Sequence, residues 1–268
     1  MAKQQEWPFG MLLAIDIGNS HIVCGVFQES RLISHWRLST DHSKTPDEYS
    51  IVLRSLLQHH KILPEDICGC IVSSVVPPLT HIFDMWTQSL LGQQPLIVNS
   101  ESPHGLTLRY SNPEEIGTDR LVNAAAAFAH YQRYLIIVDF GTATTFCIVT
   151  QQGEYLGGAI APGLKSAADT LHIKTAKLPK VDLAIPASVI GKDTTTSMQA
   201  GIMYGYAGLV DEIVKRIQQE IGESALVIAT GGLAQTVVPI SSTIQEVRPH
   251  LTLEGLRLLY ERMTSSCG

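Results

Sequence analysis

The sequence predicts an α/β chain made of two similar halves, and three observations lead there. Apolar runs of strand length alternate with segments whose apolar residues recur at helical spacing. A strand–turn–strand unit built on Asp-x-Gly occurs twice, once in each half. The 268 residues are enough for one large domain or two modest ones with buried cores, and no low-complexity linker separates them.

The first copy starts at residue 12 and reads Leu-Leu-Ala-Ile-Asp-Ile-Gly-Asn-Ser-His-Ile-Val-Cys-Gly-Val. The second starts at residue 135 and reads Leu-Ile-Ile-Val-Asp-Phe-Gly-Thr-Ala-Thr-Thr-Phe-Cys-Ile-Val. With Asp139 laid on Asp16, Leu, Asp, Gly, Cys and Val recur at matching places, and the polar stretches 28–31 and 151–154 also align. Each copy therefore predicts a strand, a turn, a second strand, a polar hairpin and a third strand over 32–36 or 155–160.

The remaining elements follow in order. Thr45-Pro-Asp-Glu48 has the form of a capping box with Pro at the first helical position. Tyr49, Val52, Leu53, Leu56 and Leu57 continue it as a helix that ends at His59-His60. Residues 71–76 and 95–98 read as buried strands, 117–132 and 195–221 as helices, and 225–229 as a strand before a Gly231-Gly232 turn. The boundary between the halves is expected inside a helix, giving domains over 1–125 and 126–268.

Composition excludes several functions. Apolar residues make up 45% and charged residues 16%, an ordinary soluble balance. A formal charge of −6 without a basic stretch argues against nucleic acid as a partner. No apolar run has the length of a membrane span and the first residues lack the form of a signal peptide, so a cytoplasmic protein is expected. Of the five cysteines, Cys24 and Cys147 fall in apolar strands and read as small core residues. Cys68-Gly-Cys70 has no second Cys or His pair at ligand spacing, and Cys267 stands alone near the end, so a zinc site is not expected.

The two turns carry the first sign of chemistry. Gly18 and Gly141 permit positive φ and leave room for a bulky anion beside the backbone, and successive N–H groups in such a turn make an anion-binding concavity. Asn19, Ser20, Thr142, Thr144 and Thr145 offer further donors. A carboxylate in the same turn repels phosphate unless a cation lies between them. Asp16 and Asp139 therefore read as ligands, direct or through water, of Mg²⁺ or another hard cation that accompanies a nucleotide. A single Asp-x-Gly could equally be a carboxylate capping its own turn, and it is the duplication that favours the phosphate reading. No Gly-x-x-x-x-Gly-Lys-[Ser/Thr] loop occurs, and Gly191-Lys-Asp-Thr194 lacks the upstream glycine at the required spacing.

A second constellation opens the helix that begins near residue 117. Gly117-Thr-Asp-Arg120 leads into an alanine run that can pack closely, but its polar start is not explained by packing. Asp119 could be only a favourable charge at a helix N-terminus, with Arg120 on the surface. The functional reading makes Asp119 a general base for a hydroxyl and Arg120 a bidentate partner for a carboxylate.

Taken in order, these motifs resemble those of the type III pantothenate kinases, a family in the actin, heat-shock chaperone and sugar kinase superfamily. The resemblance covers nearly the whole chain. It rests on Asp16-Ile-Gly-Asn-Ser20, Tyr110-x-Asn-Pro113, Gly117-Thr-Asp-Arg-x-x-Asn123 and Asp139-Phe-Gly-Thr-Ala-Thr-Thr145. Gly157-Gly-Ala-Ile-Ala-Pro-Gly163, Thr175-Ala-Lys-Leu-Pro179, Gly191-Lys-Asp-Thr194 and Leu251-Thr-Leu-Glu-Gly-Leu256 complete it. Ser20 replaces the usual Thr and keeps its hydroxyl, and a leader of about ten residues precedes the first strand.

The resemblance implies two actin-like (ribonuclease H-like) halves facing a nucleotide cleft. It implies ATP-dependent phosphorylation of pantothenate to 4′-phosphopantothenate, the first step towards coenzyme A, in a homodimer. Asp16, Ile17, Gly18, Asn19, Ser20, His21, Ile22, Val23 and Thr142 would bind ATP with its Mg²⁺, and Asp139 a monovalent cation, K⁺ or NH₄⁺. Tyr110, Gly117, Thr118, Asp119, Arg120 and Thr194 would bind pantothenate, with Asp119 as the proton acceptor. Two other readings remain open at this point: another small-molecule phosphotransferase of the same superfamily, or a nucleotide-binding regulator with no small acceptor. Asp119, Arg120 and Tyr110 speak against the regulator, because a pure ATP switch has no use for them.

Overall fold

The computed structural model describes residues 10–265, so Cys267 and the first nine residues of the leader lie outside the described residues. Strands β1 (Met11–Ile17), β2 (His21–Gln28) and β3 (Arg31–Ser39) are followed by helix α1 (Pro46–His59), strand β4 (Ile67–Ser74), helix α2 (Pro77–Leu91) and the short strands β5 (Leu96–Ile97) and β6 (Thr107–Leu108). Helix α3 (Thr118–Tyr131) precedes strands β7 (Leu135–Phe140), β8 (Ala143–Val149) and β9 (Glu154–Pro162). Helices α4 (Leu164–Lys174) and α5 (Thr194–Ile221), strand β10 (Leu226–Thr230), the single turn α6 (Ala234–Val237), strand β11 (Glu246–Val247) and helix α7 (Leu251–Ser265) complete the chain. Among the described residues no helix is long and apolar enough to cross a membrane.

The chain divides into two compact units. Among the described residues, one joins 10–104 and 112–126 to the C-terminal stretch 252–265, and the other takes 105–111 and 127–251. The division falls within α3, and α7 belongs almost entirely to the first unit.

In the first unit the sheet runs β3-β2-β1-β4-β5, with β1 to β3 antiparallel and β4 and β5 parallel to β1. Leu13, Ile15 and Ile17 on alternate positions of β1 join Cys24, Val26, Tyr49, Leu53, Phe83 and Trp86 in one core beneath α1 and α2. The opposite face of the sheet meets α7, whose Tyr260 lies so close over Gly69 that a Cβ there would stand 2.0 Å from the phenol oxygen. Helix α1 has the predicted box: Glu48 N–H donates to Thr45 Oγ1 and Thr45 N–H to Glu48 Oε2, at 3.3 and 2.8 Å.

In the second unit the order is β11-β10-β7-β8-β9-β6. Its core collects Ile136, Val138, Phe140, Phe146 and Ile148 with Met203, Tyr206, Ala207, Val210 and Val214 of α5. Inside α5, the buried Asp211 holds the loop before β11. Its carboxylate accepts from Ser241 Oγ (2.6 Å), Ser242 N and Oγ (2.8 and 2.7 Å) and Thr243 N and Oγ1 (3.2 and 2.7 Å). Burial alone would raise its pKa, but these donors outweigh it and bring the group down to about 2. The depressed value means that Asp211 stabilises the fold fully above about pH 4 and loses this contribution as pH falls through about 2. The contribution is about 2 kcal/mol. Urea unfolding of wild type and Asp211→Asn should therefore differ by that amount at pH 6 and converge near pH 2. A gap that persists at pH 2 would mean the loop is held by something other than the ionised carboxylate.

Several elements depart from the sequence reading. The strand expected over 71–76 starts earlier and ends at Ser74, because Val76 takes the cap position of α2 and Pro77-Pro78 form its first turn. The expected strand over 95–98 is reduced to Leu96 and Ile97, with Val98 N–H donating to Val72 O at 2.9 Å just beyond it. The repeat is present, but its two hairpins differ by one residue of register. Asp16 pairs with Val23, whereas Asp139 pairs with Thr145, so the second turn is one residue tighter.

Candidate functional site

In the first unit the Asp16 turn is a closed hairpin tip. Gly18 N–H donates to His21 O at 3.0 Å, and Thr40 at the end of β3 clasps the tip from outside. Thr40 Oγ1 donates to Gly18 O at 2.6 Å and Thr40 N–H to Ser20 O at 3.0 Å. Asn19, Ser20 and His21 are exposed at the tip. Ile17 and Ile22 are fully buried, so any part they take in binding is through their backbone. Asp16 is partly buried one residue from the end of β1, in register with Ser73 of the parallel strand β4.

Ser73 brings the second constellation to the same neighbourhood. Its hydroxyl lies 2.9 Å from Thr118 Oγ1, at the first residue of α3. Gly117 lies directly beneath the Asp119 carboxylate: a Cβ there would stand 2.5 Å from Asp119 Oδ1, so a side chain at 117 would displace that carboxylate. The Asp119 carboxylate, folded back towards Gly117, accepts the Arg120 backbone N–H at 2.8 Å. Its pKa is raised, chiefly by burial, against the lowering effect of that N–H and of the Arg120 charge. Arg120 is itself buried, at 7% exposure, which is unusual for a guanidinium. Asp119 is therefore neither an exposed helix-end charge nor a neutralised ion pair. It is a partly buried carboxylate whose proton affinity is increased by its setting.

In the second unit the Asp139 turn is packed from behind. Gly231, at φ +88°, lies against it so tightly that a Cβ would meet Asp139 Oδ1 at 2.3 Å and Phe140 N at 2.7 Å. Only glycine satisfies both the backbone angle and the space. In the sequence this role is signalled only by a glycine pair directly after a buried strand. Gly141 N–H donates to Ala143 O at 3.1 Å, and Thr142 is exposed at the tip, its carbonyl accepting from Ser166 Oγ of α4 at 3.3 Å. The threonines after it divide. Thr144 is fully buried and bonded to the Tyr206 hydroxyl, so it is not the donor at the turn that the sequence suggested. Strand alternation is the reason: Thr144 and Thr145 point to opposite faces of β8.

The other two acceptor-side candidates also belong to this unit. Tyr110 packs its ring at 6.3 Å from that of Tyr155 and over Gly157. Thr194 is exposed as the first residue of α5, behind an Asp193 cap that accepts Thr196 N–H at 2.8 Å. Thr194 lines a cavity of about 770 Å³ together with Leu171 and Leu178, Lys192, Ser197, Gly201 and Gly205. The structure thus gathers Asp16–Val23 and Gly117–Arg120 in the first unit, and Asp139 with Thr142, and Tyr110 and Thr194, in the second.

Comparison with known proteins gives the class first. The fold resembles an inorganic polyphosphate/ATP-glucomannokinase from Arthrobacter sp. strain KM, at a TM-score of 0.52 and 13% identity over 94% of this chain and 99% of that one. It also resembles the ethanolamine utilization protein EutJ from Carboxydothermus hydrogenoformans, at 0.57 and 14% over 94% and 91%. The fold is that of the actin-like and sugar-kinase proteins. Residues 12–216 match the family model described as type III pantothenate kinase. A type III pantothenate kinase of Citrifermentans bemidjiense is 52% identical over 94% of this chain and 99% of its own length, and one from Moorella thermoacetica is 48% identical over 95% and 100%. The chain belongs to the type III pantothenate kinase family.

Proposed function

We propose that this chain catalyses the ATP-dependent phosphorylation of pantothenate to 4′-phosphopantothenate, with Asp119 as the base. The observation that carries the residue assignment is the setting of Asp119 itself, folded against Gly117, partly buried and with a raised proton affinity. In the reaction the primary alcohol of pantothenate attacks the γ-phosphorus, the bond to the bridging oxygen breaks, and ADP leaves. Asp119 takes the alcohol proton as the new bond forms. Little covalent help is needed beyond this, because phosphoryl transfer depends mainly on alignment and charge. Arg120 is assigned to the pantothenate carboxylate, with Tyr110, Gly117 and Thr194 as further contacts on the acceptor side.

The Asp16 turn and Thr142 are assigned to the ATP phosphates, and Asp139 to K⁺ or NH₄⁺. The donors fit such ions: carboxylate, hydroxyl and carbonyl oxygens are the hard ligands these cations take, and Gly231 leaves the room beside the Asp139 carboxylate that a Cβ would fill. Mg²⁺ bound with the nucleotide would supply neutralisation of the phosphate charge. We assign a homodimer face to α4 and the loop after it, where Leu171, Ile173, Ile185, Val189 and Ile190 are exposed. The setting is the cytoplasm.

A coupled assay of ADP release tests the reading. Release should require pantothenate and fall when Na⁺ replaces K⁺. Asp139→Asn should weaken the use of ATP and abolish the difference between the two cations. ADP release without an acceptor would favour a nucleotide-driven regulator, and an Asp139→Asn enzyme that keeps its K⁺ activation would place the cation elsewhere.

A further inference from the structure

We propose that Ser73 and Thr118 are a positioning pair, and that the Thr118 hydroxyl holds Asp119 in place and does not touch the acceptor. The inference rests on the assignment of Asp119 as the base, and it departs from the family pattern by removing the Thr118 side chain from the substrate contacts.

A threonine hydroxyl has one proton to give and two lone pairs to fill. Thr118 Oγ1 donates to Ser74 O at 3.2 Å, accepts Ser74 N–H at 3.2 Å, and lies 2.9 Å from Ser73 Oγ, which can donate into the remaining lone pair. Its capacity is then spent within the protein. The anchor is braced in turn. Ser74 Oγ accepts Val76 N–H at 3.1 Å and the Thr80 hydroxyl at 2.7 Å, which ties the end of β4 to the first turn of α2.

The location of the pair gives it a use beyond stability. Gly117 occupies the cap position of α3, its carbonyl accepting Leu121 N–H at 3.1 Å, so no side chain at that position caps the helix. The helix start is fixed instead from its first residue, sideways, onto β4. Ser73 is fully buried and stands in register with Asp16, and partners on parallel strands project to the same face of a sheet. The link therefore runs from the strand that carries the Asp16 turn, through Ser73 and Thr118, to the residue beside Asp119. A buried apolar contact would hold the helix as firmly; a directional bond also fixes its rotation and so the aim of the carboxylate.

The test compares Thr118→Val, Thr118→Ser and Ser73→Ala in the full chain, by kcat, by KM for each substrate and by thermal melting. Thr118→Val keeps the shape and removes all three bonds. It should lower kcat about 10- to 100-fold, as expected for a base displaced by a fraction of an ångström to one ångström. The KM for ATP should stay within about twofold, since uniform binding of the nucleotide is untouched. Thr118→Ser should restore kcat to within about threefold, and Ser73→Ala should lose about tenfold with little change in melting. The double variant Ser73→Ala/Thr118→Val should be no worse than Thr118→Val alone, because both break one link. Should Thr118→Val not fold, Ser73→Ala carries the test. A Thr118→Val enzyme with wild-type kcat and a raised pantothenate KM would return the hydroxyl to the substrate and overturn the proposal. So would a Ser73→Ala enzyme with unchanged kcat. Asp119→Asn run alongside separates the two readings: if it remains active, the base assignment fails; if it is inactive while Thr118→Val is fully active, only the positioning pair fails.

Discussion

Asp119→Asn is expected to lower turnover by about 10²–10⁴-fold and to leave the melting temperature unchanged or slightly higher. The two parts of this expectation come from the same observation. The side chain is folded over Gly117 and partly buried, and burial raises the proton affinity of its carboxyl. That is useful for a base, which accepts the alcohol proton more readily the higher its pKa, so long as it stays ionised at the working pH. It is unfavourable for folding. A group whose pKa is higher in the folded state contributes its stability below its unfolded pKa and loses it as pH rises through the folded value. At neutral pH the ionised Asp119 therefore costs stability, and the neutral amide of the same shape removes that cost. It can still accept the Arg120 N–H. The rate profile should agree: the acid limb of kcat/KM for pantothenate should lie above the ordinary carboxylate range near pH 4 and disappear in the variant. A variant that melts well below wild type would make the residue a structural one, and near-normal turnover would end its assignment as the base.

How much of this could be read from the chain depends on how local each cause is. The capping box at Thr45 and Glu48, the Asp-x-Gly repeat and the helix from Thr118 to Tyr131 are set by neighbours within a few residues, and they are legible. Helix α2 is not, because Pro77-Pro78 look like a break after a strand when they are in fact the first turn. Helix α7 is obscured by Gly255 in its middle, where a Cβ would stand 2.5 Å from Val122 O. The close approach that demands glycine is tertiary and leaves no local trace. The site divides in the same way. Residue types at the two turns and at 117–120 announce polar chemistry, but the direction of each side chain does not follow from type. Thr144 turns into the core towards Tyr206, and Thr118 turns onto β4. Both look alike as hydroxyls in the sequence, and their partners become visible only across the fold.

Arg120→Lys is expected to raise the KM for pantothenate and to lower turnover together, with little change in the use of ATP. Lysine keeps the positive charge but loses the planar fork that can hold a carboxylate through two parallel bonds. The acceptor would still be attracted, but its orientation would no longer be set, and its alcohol would drift from Asp119. Burial sharpens the effect. Arg120 is only 7% exposed, and an ammonium at the end of a flexible stem is more strongly hydrated than a guanidinium and less content in such a place. Loss of a well-formed bidentate contact in a desolvated site is worth on the order of 2–4 kcal/mol, or about 30- to 1,000-fold in kcat/KM. A pantothenate amide separates binding of the acceptor from support of the fold. Without the negative charge it should be a poor substrate for wild type and lose far less on going to the lysine enzyme, since the interaction removed by the mutation is already absent. Michaelis curves for acid and amide with both enzymes measure the four values. Equal losses for the two acceptors would mean that Arg120 supports Asp119 or the fold, and a defect confined to ATP would assign it to the nucleotide.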